Sequence, residues 1–282
     1  LDQLKNMPVS LRKQVIEKLD LSAGVFSDKE KRLLIKTTGV ERKRVAKKGV
    51  TTSDYCLLAA EKLLDELNWK KEDIGVLIFL SQSRDYYLPA TSIILQDRMG
   101  LPRSCIAFDV SLGCSGYVYG LSIISSMMKS VGRKKGLLLV GDISSATCSY
   151  EDKSTYPLFG DAGTASALQL EEKGEGFHFN LMNDGKDHEA IIIPHGGIRN
   201  RATRESFDVF EAGEGIRRHH LDLSLDGLKV FNFSVSDVPP AVRELMDERG
   251  KTAEDYDYFI MHQANKLMNE TIRRKLKFQP EQ

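Results

Sequence analysis

Short apolar runs that alternate with longer helix-like segments constrain the fold of this chain more than any other feature. Each run is almost continuously hydrophobic, which is typical of strands that are covered on both faces. Their alternation with helices predicts an α/β protein with largely parallel sheets. The predicted strands are VLIFL (76–80), CIAFDV (105–110), LLLV (137–140), ASAL (165–168), AIII (190–193) and YFIM (258–261).

Four helices are predicted around these runs. Residues 53–68 carry an apolar stripe at helical spacing, and residues 242–249 and 265–277 are amphipathic. Residues 115–131 are apolar nearly all round, which predicts a buried helix.

The sequence EEKGEG (171–176) is charged, glycine-rich and follows a predicted strand. Such a stretch is typical of a connection rather than of a packed element. We therefore expect two halves, 1–172 and 173–282.

The composition excludes several classes of function. The chain has 282 residues with 40 basic and 40 acidic side chains, so no net field attracts nucleic acid or an anionic membrane. No apolar run reaches the roughly 20 residues of a membrane helix, and the polar N-terminus (LDQLKNMPVSLRKQ) lacks the apolar segment of a signal peptide. None of the four cysteines lies in a CxxC pair. We expect free thiols, a cytoplasmic location, and neither nucleic acid nor a membrane as a partner.

Cys114 is the candidate nucleophile. It follows a predicted strand through a short SLG turn and comes just before a predicted helix, with Gly113 and Gly116 close on either side. Because the N-terminus of a helix favours negative charge, we expect a lowered thiol pKa. A buried structural cysteine is the alternative for any lone Cys. The remaining cysteines are interpreted as structural: Cys56, Cys105 and Cys148.

His262 is the candidate partner of Cys114. It directly follows the predicted strand 258–261, at the same kind of sheet edge, and the next helix starts just after it. A histidine that caps this helix is the alternative. His219 and His220 are interpreted as part of a solvated charged face. Other histidines lack the spacing of metal ligands, so no metal site is expected; they are His178, His188 and His195.

Five motifs together resemble a known family. They are TTGVERKRVA (37–46), DVSLGCSGYVYGL (109–121), LLLVGD (137–142), SYEDKSTYPLFGDAGTASAL (149–168) and FIMHQAN (259–265). In order and spacing the sequence resembles the thiolase superfamily, and more narrowly β-ketoacyl-acyl-carrier-protein synthase III and its relatives. The resemblance implies two halves related by a pseudo-twofold axis in an α-β-α-β-α layered fold, a homodimer, and no bound cofactor.

The resemblance also implies a reaction. Cys114 would attack an acyl thioester and form an acyl-enzyme. A malonyl thioester on acyl carrier protein would then lose CO2, and its enolate would attack the acyl group to give a 3-oxoacyl thioester. A neutral His262 would donate a hydrogen bond to the enolate oxygen, and the backbone N–H of Cys114 would bind the acyl carbonyl. Acyl-CoA is the implied acyl donor.

Further roles follow from the same resemblance. The acyl pocket is expected near Leu88, in a loop that dimers of the family insert into the partner's site. The residues implied in substrate binding are Leu88, Lys153, Phe159 and Asn265, and those implied in carrier-protein docking are Lys266, Arg273 and Arg274.

The sequence departs from the family pattern in three places. The asparagine loop that should follow FIMHQAN is not present before Gln282. We therefore expect these 282 residues to be part of a longer protein and to show no turnover alone. Leu33 stands where a tryptophan commonly stacks on the adenine of coenzyme A, and Lys153 stands where its arginine partner does. Lysine is a point charge that cannot stack flat, so a carrier-bound acyl donor fits equally well. Leu267 replaces a common docking arginine.

Two other functions remain open. The acyl group on Cys114 could pass to an alcohol or an amine, as in some relatives. The chain could also be a catalytically silent partner subunit, although the intact Cys114 argues against that reading.

Overall fold

The computed structural model describes residues 26–174 and 176–282, together with the backbone of one short N-terminal strand. The polar N-terminal sequence and position 175 of the predicted boundary lie outside the described residues. The elements in chain order are β1 (Ile16–Lys18), α1 (Asp28–Thr38), β2 (Arg42–Arg44), α2 (Thr52–Leu67), β3 (Ile74–Leu80), α3 (Thr91–Met99), β4 (Ile106–Val110), α4 (Gly116–Val131), β5 (Lys135–Ile143), β6 (Asp161–Gln169), β7 (Ile191–Ile192), β8 (Phe210–Gly213), β9 (Ile216–Arg218), β10 (Ser224–Leu225), α5 (Gly227–Ser236), α6 (Val238–Glu248) and α7 (Lys266–Leu276).

The described residues divide into two compact units. The first holds Arg44–Ser144 and Gly160–Phe177, and the second holds Ser145–Phe159 and His178–Gln282 together with residues 26–43. Each unit is therefore built from several separate segments of the chain. The two predicted halves, 1–172 and 173–282, stay a prediction about internal symmetry.

A sheet in the order β4-β3-β5-β6 forms the centre of the first unit. β3 pairs in parallel with β4 and β5, while β6 runs antiparallel to β5. Every residue of β3 is buried, as expected of a strand with neighbours on both sides and helices on both faces. The expectation of an α/β protein with a largely parallel sheet is confirmed for this unit.

Helices cover both faces of this sheet. On one face α2 and α3 bury apolar side chains such as Leu64 and Leu95 against Leu77 and Phe79. On the other face α4 packs on the alternate side chains of the same strand, among them Ile78. Full burial of each large apolar side chain contributes about 1.5–3 kcal/mol, so this layered core holds the strand ends in place.

The helix after Cys114 is buried along one stripe only. Its buried residues are Gly116, Gly120, Ile124 and Met128, spaced four apart, whereas Tyr117 is 46% exposed. A Cβ on Gly116 would lie 2.4 Å from Leu80, and one on Gly120 would lie 2.8 Å from Leu138. The prediction that 115–131 is buried all round is wrong, because glycines bring one face of α4 onto the sheet and the other face remains open.

Asp109, on β4, fixes the start of α3. Its carboxylate accepts hydrogen bonds from the backbone N–H groups of Thr91 (2.7 Å) and Ser92 (2.8 Å). The residue before the helix is Ala90, which has no side chain that could cap these groups. The carboxylate also complements the positive end of the helix dipole. The acidic residue of the DVSLGC motif thus orients the loop that leads into α3.

The second unit is built around α7. Met268, Ile272 and Leu276 on α7 pack with Phe278 and with apolar residues of α5 and α6. Two small antiparallel pairs, β7 with β10 and β8 with β9, lie in the same unit. The predicted strand 190–193 is reduced to the two residues of β7.

The prediction of a strand at 258–261 is wrong. Phe259 and Met261 pack into the cluster around α7, but Tyr258 is 74% exposed and Ile260 is 97% exposed. The N–H of Phe259 donates to the carbonyl of Gln282 at 2.8 Å, but within the described residues no strand pairs with this segment, and a strand needs such a partner for its N–H and C=O groups. In the described part of the chain no helix is long and apolar enough to cross a bilayer.

Gly163 offers a test of the packing between β6 and α2. A Cβ at Gly163 would lie 2.6 Å from Cβ of Tyr55 and 2.7 Å from the backbone nitrogen of Cys56. We expect Gly163→Ala to lower the free energy of unfolding by about 1–3 kcal/mol, because the helix backbone cannot move aside without strain. Thermal unfolding followed by circular dichroism measures the shift.

Gly185→Ala is the matched control, since no heavy atom lies within 4 Å of its Cβ position. Equal melting temperatures for the two variants would contradict the close contact.

Candidate active site

The loop after β3 is held by the carboxylate of Asp142 at the end of β5. Oδ1 of Asp142 accepts hydrogen bonds from the backbone N–H groups of Gln82 (2.8 Å) and Ser83 (2.9 Å) and from the hydroxyls of Ser81 (2.9 Å) and Ser83 (2.9 Å). The backbone N–H of Ile143 donates to the Ser83 hydroxyl at 2.9 Å. Because β3 and β5 are parallel neighbours, their carboxyl ends meet at one edge, and this network fixes that edge.

Cys114 lies at the same edge, in the turn between β4 and α4. The N–H of Gly116 donates to the carbonyl of Gly113 at 2.8 Å, which closes the turn around the cysteine. The cysteine is exposed, unlike the other three in the chain. The alternative of a buried structural residue therefore does not describe Cys114.

The pKa of the Cys114 thiol is raised above its ordinary value. Desolvation by surrounding protein atoms is the largest cause, and the negative charge of Asp142 adds to it. The backbone N–H of Cys114 itself acts in the opposite direction. The prediction of a lowered pKa is wrong, because desolvation and the nearby carboxylate outweigh the effect expected from the start of the helix.

The other cysteines are buried and unreactive by comparison. Burial raises the pKa of Cys56 to about 12 and that of Cys105 to about 11. Cys148 is buried too. These positions agree with the structural interpretation of all three.

Leu88 lies in an exposed loop of the first unit. Its side chain is 87% exposed, and Tyr86 and Tyr87 beside it are 62% and 66% exposed. The Arg84 guanidinium lies over the Tyr87 ring, 5.1 Å from its centroid. No pocket wall surrounds Leu88 within the described residues of this unit, so the structure alone does not give it a substrate contact.

His262 lies in the second unit, in the irregular segment before α7. The prediction that His262 follows a buried strand is wrong, because residues 258–261 do not form a strand. Desolvation lowers the pKa of His262 below its ordinary value, so the imidazole is neutral at neutral pH. A neutral ring carries one N–H donor and one acceptor nitrogen.

Asn265 starts α7 and borders a cavity. Its Oδ1 accepts the N–H of Met268 at 2.8 Å, so the carboxamide caps the helix, and its NH2 group stays available for a ligand. The cavity has a volume of about 400 Å³ and lies between the end of α1 and the start of α7. Amide and cationic groups converge on it: its lining includes Gln263, Asn265, Lys266, Asn269 and Arg273.

Lys153 is tied to α1. Its Nζ lies 3.3 Å from Oε1 of Glu30, and its backbone N–H donates to the carbonyl of Gly215 at 3.2 Å. The N–H and hydroxyl of Ser27, followed by Lys153, lower the pKa of Glu30 to about 2. Leu33, on the same helix, is 58% exposed. Lys153 is thus held by a carboxylate that remains charged at neutral pH.

Phe159 is half-buried in the same unit. Its backbone N–H donates to the carbonyl of Thr155 at 3.3 Å. The segment before it is fixed by the buried Asp152, which Arg218 contacts at 3.0 Å. The structure brings Phe159 and Lys153 onto one ordered segment, and it places Asn265 on the separate cavity beside α7.

The cations on α7 differ in how they are paired. Glu270 contacts both Arg273 and Arg274 at 2.7 Å, and these two arginines lower its pKa to about 2. Lys266 is exposed and has no carboxylate partner among the described residues. Of the predicted docking residues, Lys266 is therefore the one with an uncompensated charge.

The interpretation of His219 and His220 as a solvated face is wrong. Nδ1 of His219 lies 3.1 Å from Asp222, and the His220 ring stacks on His195 with centroids 4.6 Å apart. Nδ1 of His195 in turn hydrogen-bonds the buried Ser206 hydroxyl at 2.9 Å. Residues on different strands and turns come together here, which sequence spacing does not show. Across the described residues, no group of three or more His, Cys, Asp or Glu could hold a metal ion.

Sequence reasoning missed the residues that hold the site. Asp142 ends the LLLVGD motif, and its position at the carboxyl end of a strand is a signal that could have found it. Gln82 and its serine neighbours follow β3 in the same way and could have been found by the same rule. Glu270 lies three and four residues before the arginines that it contacts, a spacing that predicts an ion pair on a helix.

The raised pKa of Cys114 predicts how its alkylation depends on pH. The thiolate fraction grows as pH rises through a raised pKa, so iodoacetamide should label Cys114 with a midpoint above that of an ordinary thiol. Asp142→Asn should move this midpoint down, because it removes a negative charge while keeping an oxygen that can accept the N–H groups of the loop. Peptide mass spectrometry measures the rate at Cys114.

Asp65→Asn, on an exposed part of α2, is the control for the charge change, and Cys114→Ala gives the background. A midpoint below that of a free thiol would contradict the electrostatics described here.

Comparison with known proteins places the chain in a family. Residues 108–185 match the family model described as 3-Oxoacyl-[acyl-carrier-protein (ACP)] synthase III. A β-ketoacyl-[acyl-carrier-protein] synthase III from Caldanaerobacter subterraneus subsp. tengcongensis is 30% identical over 95% of this chain and 77% of its own length. One from Syntrophomonas wolfei is 29% identical over 99% of this chain and 81% of its own length.

Solved structures agree with this match. A 3-oxoacyl-(acyl-carrier-protein) synthase III crystal structure superposes with a TM-score of 0.90 at 31% identity, covering 94% of this chain and 80% of that one. A 3-oxoacyl-(acyl-carrier protein) synthase from Burkholderia xenovorans LB400 gives 0.83 at 35% identity, covering 94% and 74%. The expected thiolase-like fold is confirmed. The chain belongs to the β-ketoacyl-acyl-carrier-protein synthase III family of condensing acyltransferases.

Proposed function

We propose that this chain accepts an acyl group from a thioester onto Cys114 and joins it to a malonyl unit carried by acyl carrier protein. The observation that carries the proposal is the exposed thiol of Cys114 at the carboxyl edge of a parallel sheet. Ligands of open α/β sheets gather at that edge. Family membership supports the same reaction class.

In the first step the Cys114 sulfur attacks the thioester carbonyl carbon. A carbon–sulfur bond forms to Cys114, the bond to the donor's sulfur breaks, and the thiol proton ends on the departing thiol. Because the pKa of Cys114 is raised, the resting group is a thiol, and a base must take the proton during attack. A neutral His262 has an acceptor nitrogen suited to that task.

In the second step the malonyl carbon–carbon bond breaks and CO2 leaves. The electron pair forms an enolate, whose carbon attacks the acyl-enzyme and displaces the Cys114 sulfur as a thiolate, which takes a proton from solvent to return to the resting thiol. A neutral His262 donates its N–H to the enolate oxygen, where negative charge develops. An imidazolium would be acidic enough to transfer its proton to the enolate and so prevent the attack, and the lowered pKa of His262 therefore suits this role.

Substrate recognition is proposed for Leu88, Lys153, Phe159 and Asn265. Asn265 lines the cavity beside α7, where its NH2 group can bind a carbonyl of the donor's pantetheine arm. Lys153 is paired with Glu30, and Leu33 offers no ring for stacking. Both features support a carrier-bound acyl donor as well as acyl-CoA.

A homodimer in the cytoplasm is part of the proposal. Within the described residues β4 is an edge strand of the sheet, with one side of its backbone unpaired. The exposed loop around Leu88 is apolar enough to enter a partner subunit. Cys56, Cys105 and Cys114 carry free thiols, which supports a reducing compartment.

Intact-protein mass spectrometry tests the first step. Incubation with a panel of acyl-CoA and acyl-carrier thioesters should add the mass of one acyl group, and the added mass identifies the donor. The adduct should be absent in Cys114→Ala, while Cys105→Ala serves as a control that keeps it.

An acyl adduct that survives in Cys114→Ala would remove the proposed nucleophile. Absence of any adduct on the wild-type chain would favour the silent-subunit reading. Release of CO2 from malonyl carrier protein would separate condensation from transfer to an alcohol or an amine.

Carrier-protein docking on α7 makes a second prediction. We expect Lys266→Glu to weaken binding of the acidic carrier protein roughly three- to tenfold at low salt and less at high salt. Glu270→Gln should strengthen binding, because it leaves Arg273 and Arg274 without their neutralising carboxylate. Surface plasmon resonance at two salt concentrations measures both effects.

Lys48→Glu makes the same charge change on an exposed lysine outside α7 and is the control. Unchanged affinity for both α7 variants would place the docking surface elsewhere.

A further inference from the structure

The carboxamide of Gln82 lies against the glycine that precedes Cys114. A Cβ built on Gly113 would be 2.7 Å from Oε1 of Gln82, 3.4 Å from its Cδ and 3.7 Å from its Nε2. Apart from chain neighbours, these are the nearest heavy atoms to that point. The amide group of Gln82 therefore lies next to the turn that carries Cys114.

The backbone of Gln82 is fixed although its side chain is exposed. Its N–H donates to Asp142 at 2.8 Å, and Ser81 and Ser83 on either side bind the same carboxylate oxygen. Asp142 is also the carboxylate whose charge raises the pKa of Cys114, so the three groups share one small region. An ordinary surface glutamine has no such anchor.

The carboxamide has unused hydrogen-bonding capacity. Among the described residues it has no hydrogen-bond partner, and it is open to solvent. A carboxamide provides two N–H donors and one acceptor oxygen. A carboxamide on an anchored backbone, next to the turn that carries the nucleophile, is placed to bind a carbonyl compound that approaches the sulfur.

We propose that Gln82 positions the acyl donor: its Nε2–H donates a hydrogen bond to the carbonyl oxygen of the incoming thioester while the Cys114 sulfur attacks the carbonyl carbon. This inference rests on the proposed function of Cys114. This hydrogen bond involves no covalent change at Gln82. It orients the carbonyl and stabilises the negative charge that develops on its oxygen.

The test compares acylation with alkylation at the same sulfur. Acylation requires the thioester carbonyl to be oriented for attack, whereas in alkylation the thiolate attacks the CH2 carbon of iodoacetamide and displaces iodide. We expect Gln82→Ala to lower the rate of acyl-Cys114 formation at low donor concentration by about tenfold, the effect of losing one hydrogen bond to a developing charge. Alkylation of Cys114 should change by less than about twofold.

Gln82→Glu separates hydrogen bonding from side-chain size. It keeps the shape of the side chain but has no N–H donor, and it adds a negative charge beside Cys114. Acylation should fall at least as far as in Gln82→Ala, and the alkylation midpoint should move to higher pH. Arg84→Ala, in the same loop but pointing at Tyr87, is the control and should leave both rates unchanged.

Each outcome decides the matter. Wild-type acylation with unchanged acylation in Gln82→Ala overturns this inference and leaves the proposed function intact. Acylation and alkylation that fall by the same factor in Gln82→Ala indicate collapse of the turn, which also overturns the positioning role. A wild-type chain that no thioester acylates overturns the proposed function and this inference together.

Discussion

The carboxylate of Asp142 is the contact on which the candidate site of the first unit depends. It joins the end of β5 to the loop after β3, and it thereby fixes the edge of the sheet at which Cys114 lies. The same negative charge opposes ionisation of the thiol. The carboxylate that orders the loop therefore also keeps the sulfur protonated. As a result, the thiol needs a base to remove its proton before it can react.

The sheet of the first unit could be predicted because burial on both faces leaves a direct mark in the sequence. β3 is apolar at nearly every position, and the structure buries every one of its residues. Capping of α3 could not be predicted in this way. Asp109 acts on a helix that starts 18 residues earlier in the chain, and such a contact exists only once β4 and α3 are packed.

The candidate site was predicted in part. The glycines between a strand and a helix predicted the turn that holds Cys114. They did not predict that the pKa of its thiol is raised, because desolvation depends on atoms that are distant in sequence. The segment 258–261 has an apolar run like that of a strand, yet the described residues give it no partner strand. Hydrophobicity predicts what a segment can bury, whereas pairing depends on what lies beside it.

The stripe of Gly116 and Gly120 sets how deep the sulfur sits relative to the sheet. Because these two residues have no side chains, the helix backbone packs closely against the side chains of Leu80 and Leu138. The distance between the helix and the sheet therefore depends on the two glycines. A methyl group at either position would tilt or lift α4, and the Cys114 sulfur next to its N-terminus would be displaced with it. The position of the nucleophile thus depends on two glycines in the first two turns of the helix.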